Sequence, residues 1–125
     1  SFWQRKRARQ GQNMLAITMY NNFMRILVLF DLPTKTKEDK KNYTGFRKSL
    51  IKLGFSMLQY SVYFRVTRNH DDMDKYILLV KHILPPIGSV RVLAITEKQY
   101  EKMIIMLGER SQDEDLLIPK DIIDL

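Results

Sequence analysis

The apolar run that ends at Asp31 constrains the fold more than any other segment of the chain. Residues 24–30 read MRILVLF, and Pro33 stops the run two positions after the aspartate. A short run rich in Leu, Ile and Val predicts a central β-strand buried on both faces rather than a helix. Asp31 then ends a rigid strand, where side chains are presented to ligands. The alternative is a turn residue, because Asp is common at the start of proline-containing loops.

Composition indicates one compact domain and excludes several classes of site. The 125 residues, 45% of them hydrophobic, are enough for one core but not for two. Cysteine is absent, which excludes disulfides, thiol nucleophiles and thiolate metal sites. No stretch approaches the roughly 20 apolar residues of a membrane span, and no secretory signal is visible. We therefore expect a cytoplasmic protein with no membrane partner.

Charge is distributed unevenly along the chain. Residues 24–108 carry 15 basic and 8 acidic residues, whereas residues 109–125 carry 2 basic and 6 acidic ones. A basic body suggests a surface for polyanions, although the alternative is a merely well-solvated surface. The pattern predicts three parts: a disordered extension over 1–18, a folded domain over 19–108, and an acidic tail or edge-strand segment over 109–125.

Two segments have the spacing of amphipathic helices. The first begins at Thr36, which forms a capping box with Asp39, and ends before Gly54. Its buried stripe is Tyr43, Phe46, Leu50 and Leu53. The second begins at Asn69 or Asp71 and is closed by the two prolines at 85–86. Its stripe is Met73, Tyr76, Ile77, Val80 and Leu84.

Three further segments have strand character. Residues 55–67 predict two short strands or one bent strand, with a polar break at 59–61. In the second half, Val62, Phe64 and Val66 predict a core face, and Ser61, Tyr63, Arg65 and Thr67 a polar one. Residues 90–95 predict another strand, and Thr96 with Gln99 caps a short helix to about residue 102. Residues 103–107 are ambiguous, and residues 116–118 predict a small strand.

The element order predicts an α+β fold of the ferredoxin-like kind. Strand, helix, strand, strand, helix, strand is the βαββαβ arrangement, in which helices cover one face of an antiparallel sheet. The C-terminal extra strand or strands pair at an edge or with a second subunit. The apolar residues of 103–118 and their acidic flank suggest partner pairing by strand addition. The partner-binding residues are Met103, Ile104, Ile105, Leu107, Leu116, Leu117 and Ile118.

Asp31 and the basic residues that follow it suggest binding of a metal ion and of phosphate groups. One carboxylate is a poor Mg²⁺ site, but a two-fold dimer brings two copies of Asp31 to one ion. Such an ion polarises a phosphodiester and lowers the pKa of bound water. The other route is phosphate binding without catalysis. The nucleic-acid-binding residues are Lys37, Lys40, Lys41, Arg47, Lys48, Arg65 and Arg68. If the helix cations do not bind, the alternative surface is Arg65, Arg68 and Arg91.

Several of these segments together resemble a known family. They are the strand at 26–31 followed by LPT, the segment QYSVY at 59–63, and TEKQY at 96–100 with GER at 108–110. In order and spacing they are similar to the CRISPR-associated protein two family, especially members from type II systems. The resemblance covers about residues 19–125. The family's Ser-Val-Phe segment is Ser61-Val62-Tyr63 here.

The resemblance implies a function in CRISPR spacer acquisition. It implies a homodimer that lies between dimers of the integrase, CRISPR-associated protein one, and that binds double-stranded DNA. It also implies a Mg²⁺-dependent endonuclease acting on RNA, including single-stranded RNA, or on DNA. Asp31 matches the family's metal ligand, which places Mg²⁺ or another divalent cation at the dimer interface. We expect scaffolding to be the main function and hydrolysis to be weak or conditional. The alternative is a ferredoxin-like nucleic-acid-binding module outside CRISPR systems, or a toxin-type ribonuclease.

Overall fold

The computed structural model describes residues 22–110, which form four strands and three helices. The strands are β1 (Met24–Asp31), β2 (Ser56–Gln59), β3 (Val62–Thr67) and β4 (Ser89–Thr96). The helices are α1 (Lys37–Lys52), α2 (His70–His82) and α3 (Glu97–Glu101). None of the helices in this part of the chain is both long and apolar enough to cross a membrane.

The strands form one antiparallel sheet in the order β2-β3-β1-β4. The apolar run therefore lies in the middle of the sheet, with Leu27 paired to Phe64 on one side and to Leu93 on the other. This order and the βαββαβ chain path are those of a ferredoxin-like α+β fold, which confirms the predicted class. Residues 55–67 form two strands joined by a turn, rather than one bent strand.

Local signals explain where α1 begins and ends. The Thr36 hydroxyl accepts a hydrogen bond from the Asp39 N–H at 3.0 Å, and the Thr36 N–H donates to Asp39 Oδ2 at 3.1 Å. The predicted capping box is thus confirmed. Past the last turn, Gly54 has φ 85°, and a Cβ there would collide with the Arg65 guanidinium. Glycine is the residue that adopts this conformation without steric cost.

The start of α2 resolves one of the open alternatives. Asn69, not Asp71, is the N-cap, and its side chain accepts from the Asp72 N–H at 2.8 Å. The predicted stripe was wrong at its last member, because the helix ends at His82 and Leu84 lies beyond it with 48% of its surface exposed. The chain must leave the helical path before Pro85, since a residue preceding proline disfavours helical geometry.

The core lies between α1, α2 and one face of the sheet. Ile26, Val28 and Phe30 point toward the helices, where Phe46, Leu50 and Val80 cover them. Within residues 22–110 no such helix layer covers the other face, which we call the open face. On β1 it consists of Arg25, Leu27, Leu29 and Asp31, since successive strand residues alternate. Burial of β1 on both faces holds from Met24 to Val28 and ends at Leu29, which is 37% exposed.

The prediction for β3 was wrong for its polar face, although Phe64 of the predicted core face is fully buried. Pairing with Leu29, Leu27 and Arg25 puts Val62, Phe64 and Val66 on the open face. Tyr63 instead belongs to the helix-covered core, with 2% of its surface exposed. Tyr63 and Thr67, expected on the polar face, fit there because their hydroxyls have partners: Arg47 Nε donates to the Tyr63 hydroxyl at 2.9 Å, and the Thr67 hydroxyl donates to the Met24 carbonyl at 3.0 Å.

The chain after β4 folds back only briefly. Thr96 and Gln99 form the predicted capping box, and α3 ends at Glu101, one residue before the expected end. Residues 103–107 form neither helix nor strand and are exposed. The predicted extension over 1–18 and the predicted strand at 116–118 lie outside the described residues, as do residues 111–125 of the acidic tail.

Candidate functional site

Asp31 ends β1 and is exposed on the open face. It pairs with Ser89 of β4, so the sheet fixes its backbone while its carboxylate meets solvent. Two apolar side chains on the same face are also exposed: Leu29, by 37%, and Leu93, by 53%. A carboxylate beside uncovered apolar surface is the arrangement expected of an interface that contains a charged site.

The donor set of one chain does not complete a metal site. No group of three or more His, Asp or Glu side chains among residues 22–110 is placed to hold an ion. Asp31 therefore offers a single carboxylate for a cation that prefers several oxygen ligands. A two-fold dimer that brought two copies of Asp31 together would supply a second carboxylate for such an ion.

The opposite end of the open face holds a charged pair that the sequence did not reveal. Arg25 Nε donates to Glu97 Oε1 at 2.6 Å, and the two side chains are only 1% and 2% exposed. The Arg25 guanidinium lies 3.6 Å from the centre of the Tyr100 ring, which stacks on Phe64. An arginine within an apolar strand was the only sequence signal for a buried ion pair. Its partner could not be identified because it is 72 positions away along the chain. The pair fixes α3 over this end of the sheet.

The predicted nucleic-acid-binding residues fall into two environments. Those on α1 are exposed: Lys37, Lys40, Lys41, Arg47 and Lys48. Arg68, which follows β3, and Arg91, on β4, are exposed as well. Their binding of nucleic acid stays a prediction. The α1 cations together form a positive surface of the kind that neutralises phosphates.

Arg65 differs from the other cations. It lies on the helix-covered side of β3, half-buried, with its guanidinium 3.8 Å from the centre of the Tyr76 ring and against Gly54. This stacking gives Arg65 a packing role in the described structure. Nucleic-acid binding by Arg65 is an untested prediction.

An aromatic cluster at the β2–β3 turn was also missed. Tyr60 is 76% exposed, and its ring stacks on Tyr43 of α1. Tyr63, at the family's Phe position, stacks on Phe30 in the core and accepts the Arg47 hydrogen bond through its hydroxyl. Relative to the family's phenylalanine, Tyr63 therefore also has a buried ring, and its hydroxyl adds one polar contact to α1.

The predicted partner-binding residues are only partly described. Met103, Ile104, Ile105 and Leu107 are exposed by 45%, 77%, 50% and 95%. The remaining three, Leu116, Leu117 and Ile118, lie outside the described residues. Met106 is 89% exposed as well. Five exposed apolar side chains in one segment are unusual for a solvated surface and favour a binding role, which stays a prediction.

Fold and site together define a class: a ferredoxin-like protein with an exposed strand-end aspartate and a basic helix. Residues 24–103 match the family described as CRISPR associated protein Cas2, and the chain belongs to that family.

Individual relatives agree with this assignment. A Campylobacter jejuni protein named CRISPR-associated endoribonuclease Cas2 is 51% identical over 88 residues, which is 70% of this chain and 62% of the relative. A Treponema denticola protein of the same name is 49% identical over 86 residues, covering 69% of this chain and 85% of the relative. One from Lacticaseibacillus rhamnosus is 45% identical over 93 residues, covering 72% and 89%.

Proposed function

We propose that this chain acts in CRISPR spacer acquisition as a homodimer that holds double-stranded DNA for the integrase, CRISPR-associated protein one. The observation that carries the proposal is the set of exposed cations on α1 of a Cas2-family chain. Cations fixed on one helix neutralise phosphates at defined positions and bind a duplex through its backbone rather than its sequence. This is the property a DNA-holding scaffold needs.

The proposed dimer forms through the open face around Asp31. Leu29 and Leu93 leave apolar surface in solvent there, and burying it contributes about 25 cal/mol for each Å² removed from water. A two-fold dimer uses the same patch twice, so it sets two copies of Asp31 near one axis. The second carboxylate that one chain lacks then comes from symmetry.

The proposed secondary activity is divalent-metal-dependent cleavage of RNA or DNA. Relatives named endoribonucleases support this second function. The Asp31 pair would hold Mg²⁺, and the bound ion would polarise the phosphodiester and lower the pKa of its water. The chain itself supplies the carboxylates and the rigid strand end. We expect slow hydrolysis, because one carboxylate per protomer offers no separate general acid.

The exposed segment 103–107 is proposed as part of the contact with a partner. A chain truncated after Lys102 should lose either dimer formation or integrase binding, whereas the wild type keeps both. Light scattering and an integrase pull-down measure the two. If both survive the truncation, this segment has no binding role.

An assay of spacer integration distinguishes a scaffolding function from a hydrolytic one. We expect Asp31→Ala to leave integration, dimer formation and integrase binding near wild type, and Lys41→Ala/Lys48→Ala to reduce integration through weaker DNA binding. A matched control is Lys81→Ala on α2, which removes an exposed cation elsewhere. Loss of integration in Asp31→Ala with dimer and integrase binding intact would show that scaffolding is not the main function.

A further inference from the structure

The turn between β2 and β3 is held close to the strand end that carries Asp31. Ser61 has φ 64°, a left-handed conformation that costs an L-residue steric energy. Its carbonyl accepts a hydrogen bond from the Phe30 N–H at 3.0 Å. Phe30 directly precedes Asp31, so this bond ties the turn to the β1 end. The side chains presented by the turn are thereby fixed relative to the candidate site.

Tyr60 lies in this turn with its ring held in a defined position although most of the side chain is exposed. Its side chain is 76% exposed, yet its ring stacks on Tyr43, with centroids 6.0 Å apart and planes 23° apart. Tyr43 in turn contacts Phe30 of the core at 5.8 Å. Three rings thus run from the core to the surface. The outermost ring is held in place while most of its surface remains available to a ligand.

The Tyr60 hydroxyl also interacts with this neighbour. Interaction with the Tyr43 hydroxyl, chiefly hydrogen bonding, raises the pKa of Tyr60 above its ordinary value of 10.0, whereas the Arg47 charge acts in the opposite direction. A tyrosine is neutral at physiological pH in any case, and Arg47 lies within electrostatic reach of the Tyr60 hydroxyl. A neutral π-face beside a cation suits a nucleobase and its phosphate.

The helix supplies cations on the same side as this ring stack. Positions 40, 43 and 47 are spaced i, i+3 and i+7 along α1, so Lys40 and Arg47 lie on the Tyr43 face. Lys41 is one position further and points about 100° away from Lys40. The two neighbouring lysines thus differ in whether they lie beside the aromatic pair.

The occupant favoured by these groups is single-stranded nucleic acid. A duplex keeps its bases stacked inside, so an exposed ring on the surface finds no base face along its length, whereas an unpaired base can stack on it. A structural stack alone would also explain two touching tyrosines, since such pairs stabilise a fold. That interpretation does not explain why Tyr60 is 76% exposed within electrostatic reach of Arg47 and above the α1 face that carries Lys40.

We propose that Tyr60, supported by Tyr43 and flanked by Lys40 and Arg47, is a stacking platform for an unpaired nucleobase. Single-stranded RNA and single-stranded DNA share this chemistry. The platform deepens the proposed cleavage function, on which it rests for its biological use, because it would hold an unpaired strand at the same end of the sheet as Asp31, on the side that the helices cover. Binding of the base itself does not require that the chain cuts.

The test uses the full chain and short oligonucleotides carrying 2-aminopurine, whose fluorescence is quenched on stacking. Tyr60→Ala should weaken binding of single-stranded RNA or DNA by about 5- to 150-fold and abolish the quenching. Tyr60→Phe should keep both, while Tyr60→Leu should lose both although it retains apolar bulk. Binding of duplex DNA should be unchanged in all three variants. The RNA and DNA arms show which strand is preferred.

A charge-matched pair tests the flanking cations. Lys40→Ala should weaken single-strand binding more than Lys41→Ala does, since only Lys40 lies on the Tyr43 face. Equal single-strand affinity and quenching of wild type and Tyr60→Ala would overturn the proposal, as would a wild type that binds no single strand. Loss of integrase binding in Tyr60→Ala without any effect on oligonucleotides would also overturn it and assign Tyr60 to a protein contact.

Failure of the stacking platform can be distinguished from failure of the proposed cleavage function. If Asp31→Asn and wild type show no cleavage but Tyr60 still governs quenching, cleavage is refuted and the stacking platform stands. If cleavage depends on Asp31 but not on Tyr60, and quenching is absent, the platform is refuted and the cleavage function stands.

Discussion

Arg25 and Asp31 lie on the same face of the same strand, but Arg25 is buried in an ion pair whereas Asp31 is exposed to solvent. Arg25 is 1% exposed, bonded to Glu97 and covered by the Tyr100 ring. Asp31 is exposed at the end of the strand. One end of the open face is thus closed by the chain's own α3, and the other end is left to solvent.

This difference in burial indicates that Arg25 has a structural role, whereas Asp31 is a candidate functional residue. A buried ion is tolerated only when a partner and hydrogen bonds offset its lost hydration. Arg25 meets that condition inside one chain, so its charge is explained by the fold. Asp31 needs no such partner for stability, because water solvates it. Its position at a rigid strand end, exposed within residues 22–110, is why we propose it as the site of a ligand or a second protomer.

The largest expected effect is on stability at the closed end. Glu97→Ala leaves Arg25 buried without its carboxylate and should lower the free energy of unfolding by about 3–5 kcal/mol. Asp31→Ala should change it by no more than about 0.5 kcal/mol, as is usual for surface positions. Urea denaturation of both variants measures the two values. Equal effects would remove the distinction between the two ends.

The next effect is on association at the open end. Leu93→Lys should shift the proposed dimer toward monomer, because it puts a charge into the exposed apolar surface of the open face, opposite Leu27. Leu78→Lys on α2 is the matched control, since Leu78 and Leu93 are 54% and 53% exposed. Sedimentation analysis of both variants checks this. A dimer that survives Leu93→Lys but not Leu78→Lys would move the interface to the helices.

A smaller effect is expected from cations remote from both ends. Lys41→Ala/Lys48→Ala should weaken duplex DNA binding and reduce the slope of log affinity against log salt by about 0.9 for each phosphate that the variant no longer neutralises. The slope is measured by titration at several salt concentrations. The two lysines do not touch the duplex if the slope equals that of wild type, and the DNA would then be expected at Arg68 or Arg91.

The smallest effect is electrostatic and local to the β2–β3 turn. Hydrogen bonding with Tyr43 favours the neutral form of Tyr60, so Tyr43→Phe should lower the pKa of Tyr60 back toward 10.0. NMR of ring-labelled tyrosine across an alkaline pH series reports this pKa, and Tyr60→Phe assigns the resonance. An unchanged pKa would mean that the two hydroxyls do not interact.

Sequence reasoning worked where the signal is local. The apolar run, the capping box at Thr36 and the helical stripe through Phe46 each depend on neighbouring residues, and each was confirmed. It failed on β3 because alternation alone cannot tell which face the helices cover. Tyr63 reads as polar, yet its ring is buried once Arg47 satisfies the hydroxyl.

The site was only partly predictable for the same reason. Asp31 could be located because a strand end is visible in one stretch of sequence. The Arg25–Glu97 pair and the Tyr43–Tyr60 stack join residues that are distant along the chain. Only the folded sheet brings them together, so one sequence without covariation carries no signal for either pairing.

The most direct test of the account is cleavage by wild type and Asp31→Asn, with Mg²⁺ or with EDTA, on RNA and on double-stranded DNA. The account predicts slow, Mg²⁺-dependent cutting by wild type that Asp31→Asn abolishes, with stability, dimer formation and duplex binding unchanged. Equal cutting by both proteins, or cutting that persists in EDTA, would contradict the assignment of Asp31 as the functional carboxylate at the open end of the sheet.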